Sequence, residues 1–254
     1  MGMAGLGMPE VRRERLAQIS DDIRGCRACV LHEGTRQAVP GEGNPDAEIL
    51  LIGEAPGQNE DLQGRPFVGA SGQFLTEMLR QNGLRREDVF IANVVKHRPP
   101  NNRDPLPDEI EACASFLSHQ IEAIDPLVII TLGRVSLAKF FPGEKISQIH
   151  GQPRKIGGRM VIPLYHPAAA LHQGALRKVL EADFAKVPGI VDVARRGAGR
   201  TAAPAAPPRA AEPVQQAFGL LDPGADGSTV QGHLSSPDDG SAAAPRPPRQ
   251  LPLL

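Results

Sequence analysis

The sequence predicts an α/β fold, a three-layer sandwich in which helices cover both faces of a central four-stranded, mainly parallel sheet. Four short runs are almost entirely apolar, which indicates strands buried on both faces, as in a parallel sheet. Segments with helical spacing of apolar residues separate these runs, so strand and helix alternate along the chain. The four predicted strands are residues 48–52, 89–94, 127–132 and 160–164.

Composition divides the chain into one domain and a tail. The 254 residues, of which 41% are hydrophobic and 22% charged, supply one good core. From about residue 189 the sequence turns to Ala, Pro, Gly and Ser and loses any period that buries a face. We therefore predict a domain over residues 10–188 and a disordered Pro/Ala-rich tail over residues 189–254.

Charge and cysteine counts narrow the class of protein. With 28 Lys and Arg residues against 29 Asp and Glu residues, the chain has no global basic field for nucleic acid, although a local patch stays open. Three cysteines are too few for a disulfide scaffold and fit a reducing compartment. No run approaches the roughly 20 apolar residues of a membrane span. We expect a soluble, monomeric, cytoplasmic protein with no membrane partner.

The first predicted helix leads into a pair of cysteines. Residues 11–24 carry apolar side chains at helical spacing, and Cys26 and Cys29 follow. Two cysteines three positions apart reach one metal or cluster, because the turn between them brings both sulfurs to one side. A structural metal, a redox dithiol and coincidence are all open at this point.

The loop after the first strand is a candidate site. The apolar run ends at Gly53, and acidic residues that include Glu54 and Glu60 follow before a helix begins near Ser71. Ligands of open α/β sheets bind outside the carboxyl ends of the strands, although a solvated acidic loop is the alternative. The helix start at Ser71 offers backbone N–H groups to a phosphate, or is a plain Ser cap.

A proline-rich basic loop follows the second strand. Residues 93–105 contain several prolines, which prevent regular structure, and the cations Lys96, Arg98 and Arg103. Such a group at a strand end is suited to nucleic-acid phosphates, and a merely solvated loop is the competing interpretation.

Polar residues follow three of the predicted strands. Glu54, Asn93 and His166 each come at or just after a strand end, and we expect them to converge along one edge of the sheet. Cys113 lies on the helix that begins near Pro107, between the second and third strands.

Five segments, in this order and spacing, resemble the family 4 uracil-DNA glycosylases, the iron-sulfur class of the uracil-DNA glycosylase superfamily. The resemblance extends from about residue 23 to residue 187. The segments are Cys-x-x-Cys at 26–29, Gly-Glu-Ala-Pro-Gly at 53–57 with Glu60, Gly-Arg-Pro-Phe-Val-Gly at 64–69, Asn-Val-Val-Lys-His-Arg-Pro-Pro-Asn-Asn-Arg at 93–103, and His-Pro-Ala-Ala at 166–169.

The resemblance implies hydrolysis of the N-glycosidic bond between uracil and deoxyribose in single- or double-stranded DNA, leaving an abasic site for base excision repair. The nucleotide must turn out of the stack into a pocket. By similarity, Phe67 stacks on the uracil, Asn93 reads its edge through one amide donor and one acceptor, and His166 hydrogen-bonds the departing base.

The family's first motif implies roles for the acids. Glu54 and Glu60 are expected to position water and stabilise the sugar cation. Better-known branches carry a water-orienting Asp or Asn where this chain has Ala55, so we expect only a backbone contact from Ala55. Leu171 is the expected wedge into the DNA minor groove, although the family often has Leu and Arg where Ala170 and His172 stand.

The family's metal site departs from its pattern in one residue. Members hold a four-iron four-sulfur cluster with four cysteines. Cys26, Cys29 and Cys113 match three of them, and His97 stands at the other position. Imidazole replaces thiolate on iron in Rieske centres, so we predict a cluster with three cysteines and His97. Zinc takes the same ligands and is the alternative, and loss of the metal is the third possibility.

Two other functions compete with the hydrolase. One is a non-catalytic protein that binds uracil-containing or abasic DNA. The other is a related branch that attaches covalently to the abasic sugar through a histidine in an Arg-rich loop. Because the loop at 99–105 contains no histidine, we predict an enzyme that turns over.

Overall fold

A six-stranded sheet lies at the centre of the computed structural model, which describes residues 8–199. Across the sheet the strands lie in the order β1-β3-β2-β4-β6-β5. The four inner strands are parallel to one another, as the sequence predicts. The strands are β1 Glu42–Gly43, β2 Ile49–Gly53, β3 Phe90–Asn93, β4 Val128–Leu132, β5 Arg154–Ile156 and β6 Arg159–Leu164.

The predicted count of four strands is wrong, because each edge of the sheet carries a short antiparallel strand. Strand β1 has two residues, too few to show a period in the sequence. Strand β5 is polar and joins β6 through Gly157 and Gly158, which both have positive φ (55° and 84°), as a two-residue hairpin turn requires. That glycine pair is a hairpin signal that a search for apolar runs does not detect.

Helices occupy most of the remaining chain in the described range. Short 3₁₀ turns lie at Val30–His32, Arg86–Asp88 and Pro100–Asn102. Across the residues that the structure describes, none of the helices combines the length and apolarity needed to cross a membrane. The α-helices are α1 Met8–Arg24, α2 Gln58–Gln63, α3 Ala70–Gln81, α4 Pro107–Ile124, α5 Arg134–Ala138, α6 Ile146–Ile149, α7 Pro167–His172, α8 Gly174–Phe184 and α9 Val187–Gly197.

The buried side chains of β2 divide the core into two halves. Leu50 and Ile52 point to one face of the sheet and pack with apolar residues of α1, α4 and α5. Ile49 and Leu51 point to the other face and pack with α3, α8 and α9. Successive strand side chains alternate between faces, so an entirely apolar strand needs helices on both sides. The predicted three-layer sandwich is confirmed.

The predicted domain boundary at residue 188 lies too early. Helix α9 continues the fold to Gly197, with Val187 and Val191 buried against the sheet. Arg195 on this helix donates to the Glu48 carboxylate (Nη2 to Oε2, 2.6 Å) just before β2. The small-residue composition that marks the predicted tail begins inside a packed helix, which explains the misplaced boundary. The rest of that tail, residues 200–254, lies outside the described residues.

The packing of α9 gives a test of the corrected boundary. Val191→Asp in the full chain places a carboxylate in an apolar site and should lower the free energy of unfolding by about 3 kcal/mol. Val193→Asp is the matched control, since Val193 on the same helix is 52% exposed and should change stability by less than about 0.5 kcal/mol. Denaturant unfolding of both variants measures the difference. Equal effects would contradict a packed α9.

Candidate active site

A cleft of about 340 Å³ opens at the carboxyl ends of the parallel strands. It contains Glu54, Asn93 and His166, the three strand-following residues that the sequence predicts to converge. Phe67, Ala55 and Ser71 lie in the same wall, so most of the predicted site residues meet here. The full lining is Glu54, Ala55, Pro56, Gly57, Glu60, Phe67, Ser71, Asn93, Pro99, Asn102, Arg103, His166 and Ala168.

Two glycines make room for Phe67. A Cβ on Gly53 would lie 2.6 Å from the Phe67 ring and 2.3 Å from Asn93 Oδ1. A Cβ on Gly72 would lie 1.9 Å from the Phe67 carbonyl oxygen. Phe67 itself has a φ of 51°, an uncommon backbone conformation for a bulky residue. The chain therefore holds this ring over the end of β2 at a conformational cost, which is typical of functional positions.

Asn93 ends β3 with its side-chain oxygen unsatisfied. Among the described residues, Asn93 Oδ1 is buried and accepts no hydrogen bond. The backbone that follows is fixed, because Val94 N–H donates to the Gly53 carbonyl (3.1 Å) and Val95 N–H donates to the Glu54 carbonyl (3.2 Å). A buried acceptor without a donor costs about 1–3 kcal/mol, so this oxygen is poised for a ligand that brings an N–H group.

His166 is a neutral imidazole with a defined tautomer. The Ala168 backbone N–H donates to His166 Nδ1 (3.1 Å), which assigns the ring proton to Nε2. Burial lowers the pKa of His166 to about 4, against an opposing effect of Glu60. The ring stacks with Phe67 at a centroid distance of 5.6 Å. His166 therefore offers the cleft an uncharged N–H donor at physiological pH.

Glu54 has an acidic partner that sequence analysis does not single out. Burial raises the pKa of Glu54 to about 7, and the charge of Asp104 and a hydrogen bond to its carboxylate add to the rise, while Arg134 opposes it. Arg134 in turn donates to Asp104. Asp104 comes from the basic loop and Arg134 from the start of α5, so the sheet edge joins residues distant in sequence. The one acid within a basic loop is the signal that points to Asp104.

Glu60 accepts hydrogen bonds from the backbone, in contrast to Glu54, which lies beside an acidic side chain. Its Oε1 accepts the N–H groups of Val68 (2.8 Å) and Gly69 (2.9 Å), and its Oε2 accepts that of Gly57 (3.1 Å). These bonds join the loop after β2 to the segment that carries Phe67. A carboxylate with three backbone donors is a strong, charge-assisted support for a turn.

The residues predicted to contact DNA do not all lie at the surface of the cleft. Ser71 and Arg103 line it, and Arg103 also forms two hydrogen bonds to the buried Glu109 carboxylate. Arg98 is partly exposed and donates to Asn102 Oδ1 (2.7 Å). Leu171, on α7, is 41% exposed, as a wedge requires.

The predicted contact between Lys96 and DNA phosphates is wrong. Its side chain is completely buried, and its ammonium donates to the Asn93 carbonyl (2.8 Å) and to Gln120 Oε1 (2.7 Å). The chain bends after Asn93, and the Lys96 side chain lies against α4. A cation in a proline-rich loop resembles a solvated one in the sequence, because nothing local distinguishes the two.

The four predicted metal ligands lie in one corner of the fold, away from the cleft. Cys26 and His97 line a separate cavity of about 200 Å³. Burial raises the pKa of the Cys113 thiol, and the nearby Cys29 and Cys26 thiols raise it further. His32 lies on the same cavity, and its Nδ1 is 2.7 Å from the Cys29 carbonyl oxygen.

The side chains in this corner are of the types that bind metal, but they are not arranged as a metal site. Within residues 8–199, no group of three or more His, Cys, Asp or Glu side chains is close enough to hold a metal ion. The three cysteines are free thiols, and burial lowers the pKa of His97, which keeps its imidazole neutral for ligation. The donor set therefore fits an iron-sulfur cluster or zinc.

Comparison with known proteins places this site in a family. A family model described as the uracil DNA glycosylase superfamily matches residues 40–186. A type-4 uracil-DNA glycosylase from Saccharolobus solfataricus is 52% identical over 184 residues, covering 68% of this chain and 85% of that protein. One from Thermotoga maritima is 46% identical over 185 residues, covering 71% and 96%.

A more distant relative marks the limit of the match. A type-5 uracil-DNA glycosylase from Thermus thermophilus is 34% identical over 149 residues and covers 50% of this chain. The type-4 relatives match this chain more closely and over more of its length. This chain belongs to the type-4 uracil-DNA glycosylases of the uracil DNA glycosylase superfamily.

Proposed function

We propose that this protein is a uracil-DNA glycosylase, which hydrolyses the N-glycosidic bond of deoxyuridine in DNA and leaves an abasic site. The observation that carries the proposal is the single cleft in which a buried ring, an unsatisfied amide oxygen, a neutral imidazole and a carboxyl with a raised pKa meet. Type-4 relatives at about 50% identity support the same activity. A monomeric, cytoplasmic enzyme stays a prediction.

Asn93 reads the base in this proposal. Uracil presents an N3–H donor, which suits the unsatisfied Asn93 Oδ1, and an adjacent carbonyl oxygen, which accepts from the amide nitrogen of the same side chain. Cytosine has an acceptor at N3 and an amino donor beside it, so it would face Oδ1 without a hydrogen bond. Discrimination against cytosine should therefore be large, because the buried Asn93 oxygen would lose its water without gaining a hydrogen bond in return. Phe67 supplies the apolar surface on which the extruded ring stacks.

His166 favours departure of the base. As the glycosidic bond breaks, negative charge develops on the uracil and positive charge on the sugar. The Nε2–H of His166 is a fixed donor in a buried site, where it stabilises a developing anion more strongly than water does. Because the imidazole is neutral, it stabilises the anion by a hydrogen bond and need not transfer a proton.

Glu54 is the residue that activates water. Its carboxyl has a pKa of about 7, which is near the value that suits a general base at neutral pH. When ionised, the same carboxylate also stabilises the sugar cation. Glu60 instead uses both oxygens to hold the backbone near Phe67, so we assign it positioning rather than chemistry. Ala55 contributes backbone to the cleft wall.

The DNA strand is held by residues around the cleft. Arg98 and Arg103 contact phosphates, Ser71 at the first turn of α3 contacts a phosphate through its hydroxyl and the helix start, and Leu171 fills the space left by the extruded nucleotide. The cleft opens to one base, whether the DNA is single- or double-stranded.

The position of His97 supports turnover over covalent trapping. Its imidazole lines the cavity with Cys26 and is not among the residues of the cleft. The loop segment that does reach the cleft presents Pro99, Asn102 and Arg103, none of which is a nucleophile toward an abasic sugar.

A metal centre in the corner away from the cleft completes the proposal. Cys26, Cys29, Cys113 and His97 would hold a four-iron four-sulfur cluster, with zinc as the alternative for the same donors. When bound, the centre fastens the end of α1, the loop after β3 and helix α4 together.

A uracil-containing oligonucleotide tests the activity. The protein should produce alkali-labile abasic sites with multiple turnovers, and no denaturation-resistant adduct should accumulate. Asn93→Ala should lower kcat/KM at least about 100-fold, because the base loses its reader. Arg98→Ala is the control: it should weaken binding and reduce the salt dependence by about one phosphate contact, with kcat retained. Absence of strand scission above background would favour a binding protein.

The pKa of Glu54 predicts the pH dependence. The base must be deprotonated to accept a proton, so kcat/KM, which reports the ionisation of the free enzyme, should rise as the pH increases through about 7. Glu54→Gln should abolish this rise and lower kcat by about 10²- to 10⁴-fold. Asp104→Asn removes a group that raises the pKa, so it should shift the rise to lower pH. The initial rates of all three proteins from pH 5 to 9 provide the measurement, and an unshifted profile in Asp104→Asn would contradict the pairing.

Metal analysis tests the ligand set. Anaerobically purified protein should contain iron and acid-labile sulfide and absorb visible light. His97→Ala should lose most of that metal, whereas His119→Ala, an exposed histidine on α4, should retain it. A colourless protein with stoichiometric zinc would reject the cluster in favour of the alternative.

A further inference from the structure

Lys96 is a fully buried lysine that the proposed reaction does not use. None of its side chain is exposed, and its ammonium donates to the Asn93 carbonyl and to Gln120 Oε1 at 2.8 and 2.7 Å. A buried ammonium is costly unless it is paired and hydrogen-bonded, because its hydration is lost. Because an apolar side chain at this position would avoid that cost, the buried cation points to a role beyond packing.

The first partner of Lys96 belongs to the residue that reads uracil. The Asn93 carbonyl precedes a turn whose Val94 and Val95 N–H groups bind the backbone of β2 and its loop. The Lys96 ammonium closes this turn from the opposite side, three residues along the chain. The direction of the Asn93 side chain depends on that turn, so the ammonium helps to determine where Oδ1 points.

The second partner of the Lys96 ammonium lies on the helix that carries one of the proposed metal ligands. The ammonium donates to Gln120 on α4, the helix that also carries Cys113, and the next residue along the chain from Lys96 is His97. Gln120 accepts from Lys96 and in turn donates to the Pro40 carbonyl (2.7 Å). The Lys96 carbonyl accepts from Val39 N–H (2.8 Å), so this side chain and its backbone join three separate segments.

We propose that Lys96 is a positioning residue that couples the metal corner to uracil recognition. Its ammonium holds the Asn93 carbonyl in place and, through Gln120, fastens the segment that precedes His97 to α4, the helix that carries Cys113. The inference rests on the proposed function for its uracil half and on the proposed ligand set for its metal half. Because the cation is shared, loss of Lys96 disturbs both places.

Lys96→Met keeps the length of the side chain and removes its charge. We expect kcat on uracil-containing oligonucleotide to fall about 10- to 100-fold, the usual range for loss of a charged buried hydrogen bond. Affinity for the same oligonucleotide with thymine, and its salt dependence, should stay unchanged because Lys96 does not contact phosphates. Metal release to a chelator, measured without DNA, should become at least several-fold faster.

Two further variants separate positioning from loss of stability. Ile124→Ala removes a fully buried side chain from the same helix, with Lys96 intact, and should lower the melting temperature while uracil cleavage and metal release stay near wild type. Gln120→Leu keeps the cation but removes one acceptor and the link to Pro40. It should lower kcat and speed metal release, each several-fold, and it carries the test if Lys96→Met does not fold.

Four outcomes would overturn the proposal. Three concern Lys96→Met: wild-type kcat and metal release, effects no larger than those of an equally destabilised Ile124→Ala, or a reduced salt dependence of DNA binding, which would mark a phosphate contact. The fourth is wild-type kcat in Gln120→Leu. If the wild-type protein itself releases no uracil, the proposed function fails, while chelator release from Lys96→Met still decides the metal half.

Discussion

The absence of a side chain at Gly53 is the constraint on which the site depends. Strand β2 is buried along its whole length between β3 and β4, so its end can lead only into the cleft. At that end a single Cβ would meet both Asn93 Oδ1 and the Phe67 ring, at 2.3 and 2.6 Å. Asn93, the proposed reader of the base edge, and Phe67, the proposed platform for the base face, therefore approach each other across one missing methyl group. Any substitution at Gly53 separates the two halves of the pocket by displacing one of them.

The cleft gives two carboxyl groups different surroundings. Glu60 is buried and receives backbone N–H groups on both oxygens, whereas Glu54 is half-buried and lies beside the charge of Asp104. Groups whose environments differ in this way can divide acid–base work from structural work. His166 completes the division, because burial holds it neutral and leaves one ring N–H as a donor. In the proposed reaction, the charge that moves is thus confined to Glu54, the sugar and the departing base.

Sequence patterns predict the parts of this structure that follow from burial alone. The apolar runs locate β2, β3, β4 and β6, and parallel pairing then brings Glu54, Asn93 and His166 to one edge. Features that depend on tertiary contacts escape such patterns. Lys96 lies in a loop with the composition of a solvated segment, but the bend after Asn93 and the contact with α4 bury it, and Asp104 gains its role from Glu54, fifty residues earlier in the chain. Helix α9 carries apolar residues at helical spacing, but Pro188 and Gly189 in its first turn interrupt the sequence signal, and its Val187 and Val191 pack on the sheet.

The bend after β3 sends the side chains of neighbouring residues to separate parts of the fold. Within five residues the chain sends Asn93 to the cleft, Lys96 to α4 and His97 to the cavity beside Cys26. These directions are set by backbone hydrogen bonds and by the Lys96 ammonium, and none of them depends on the atom that His97 presents to a metal. In the proposed metal centre, the ligand type at position 97 can therefore change while the geometry at position 93 is preserved, whereas we expect a change at position 96 to reach both.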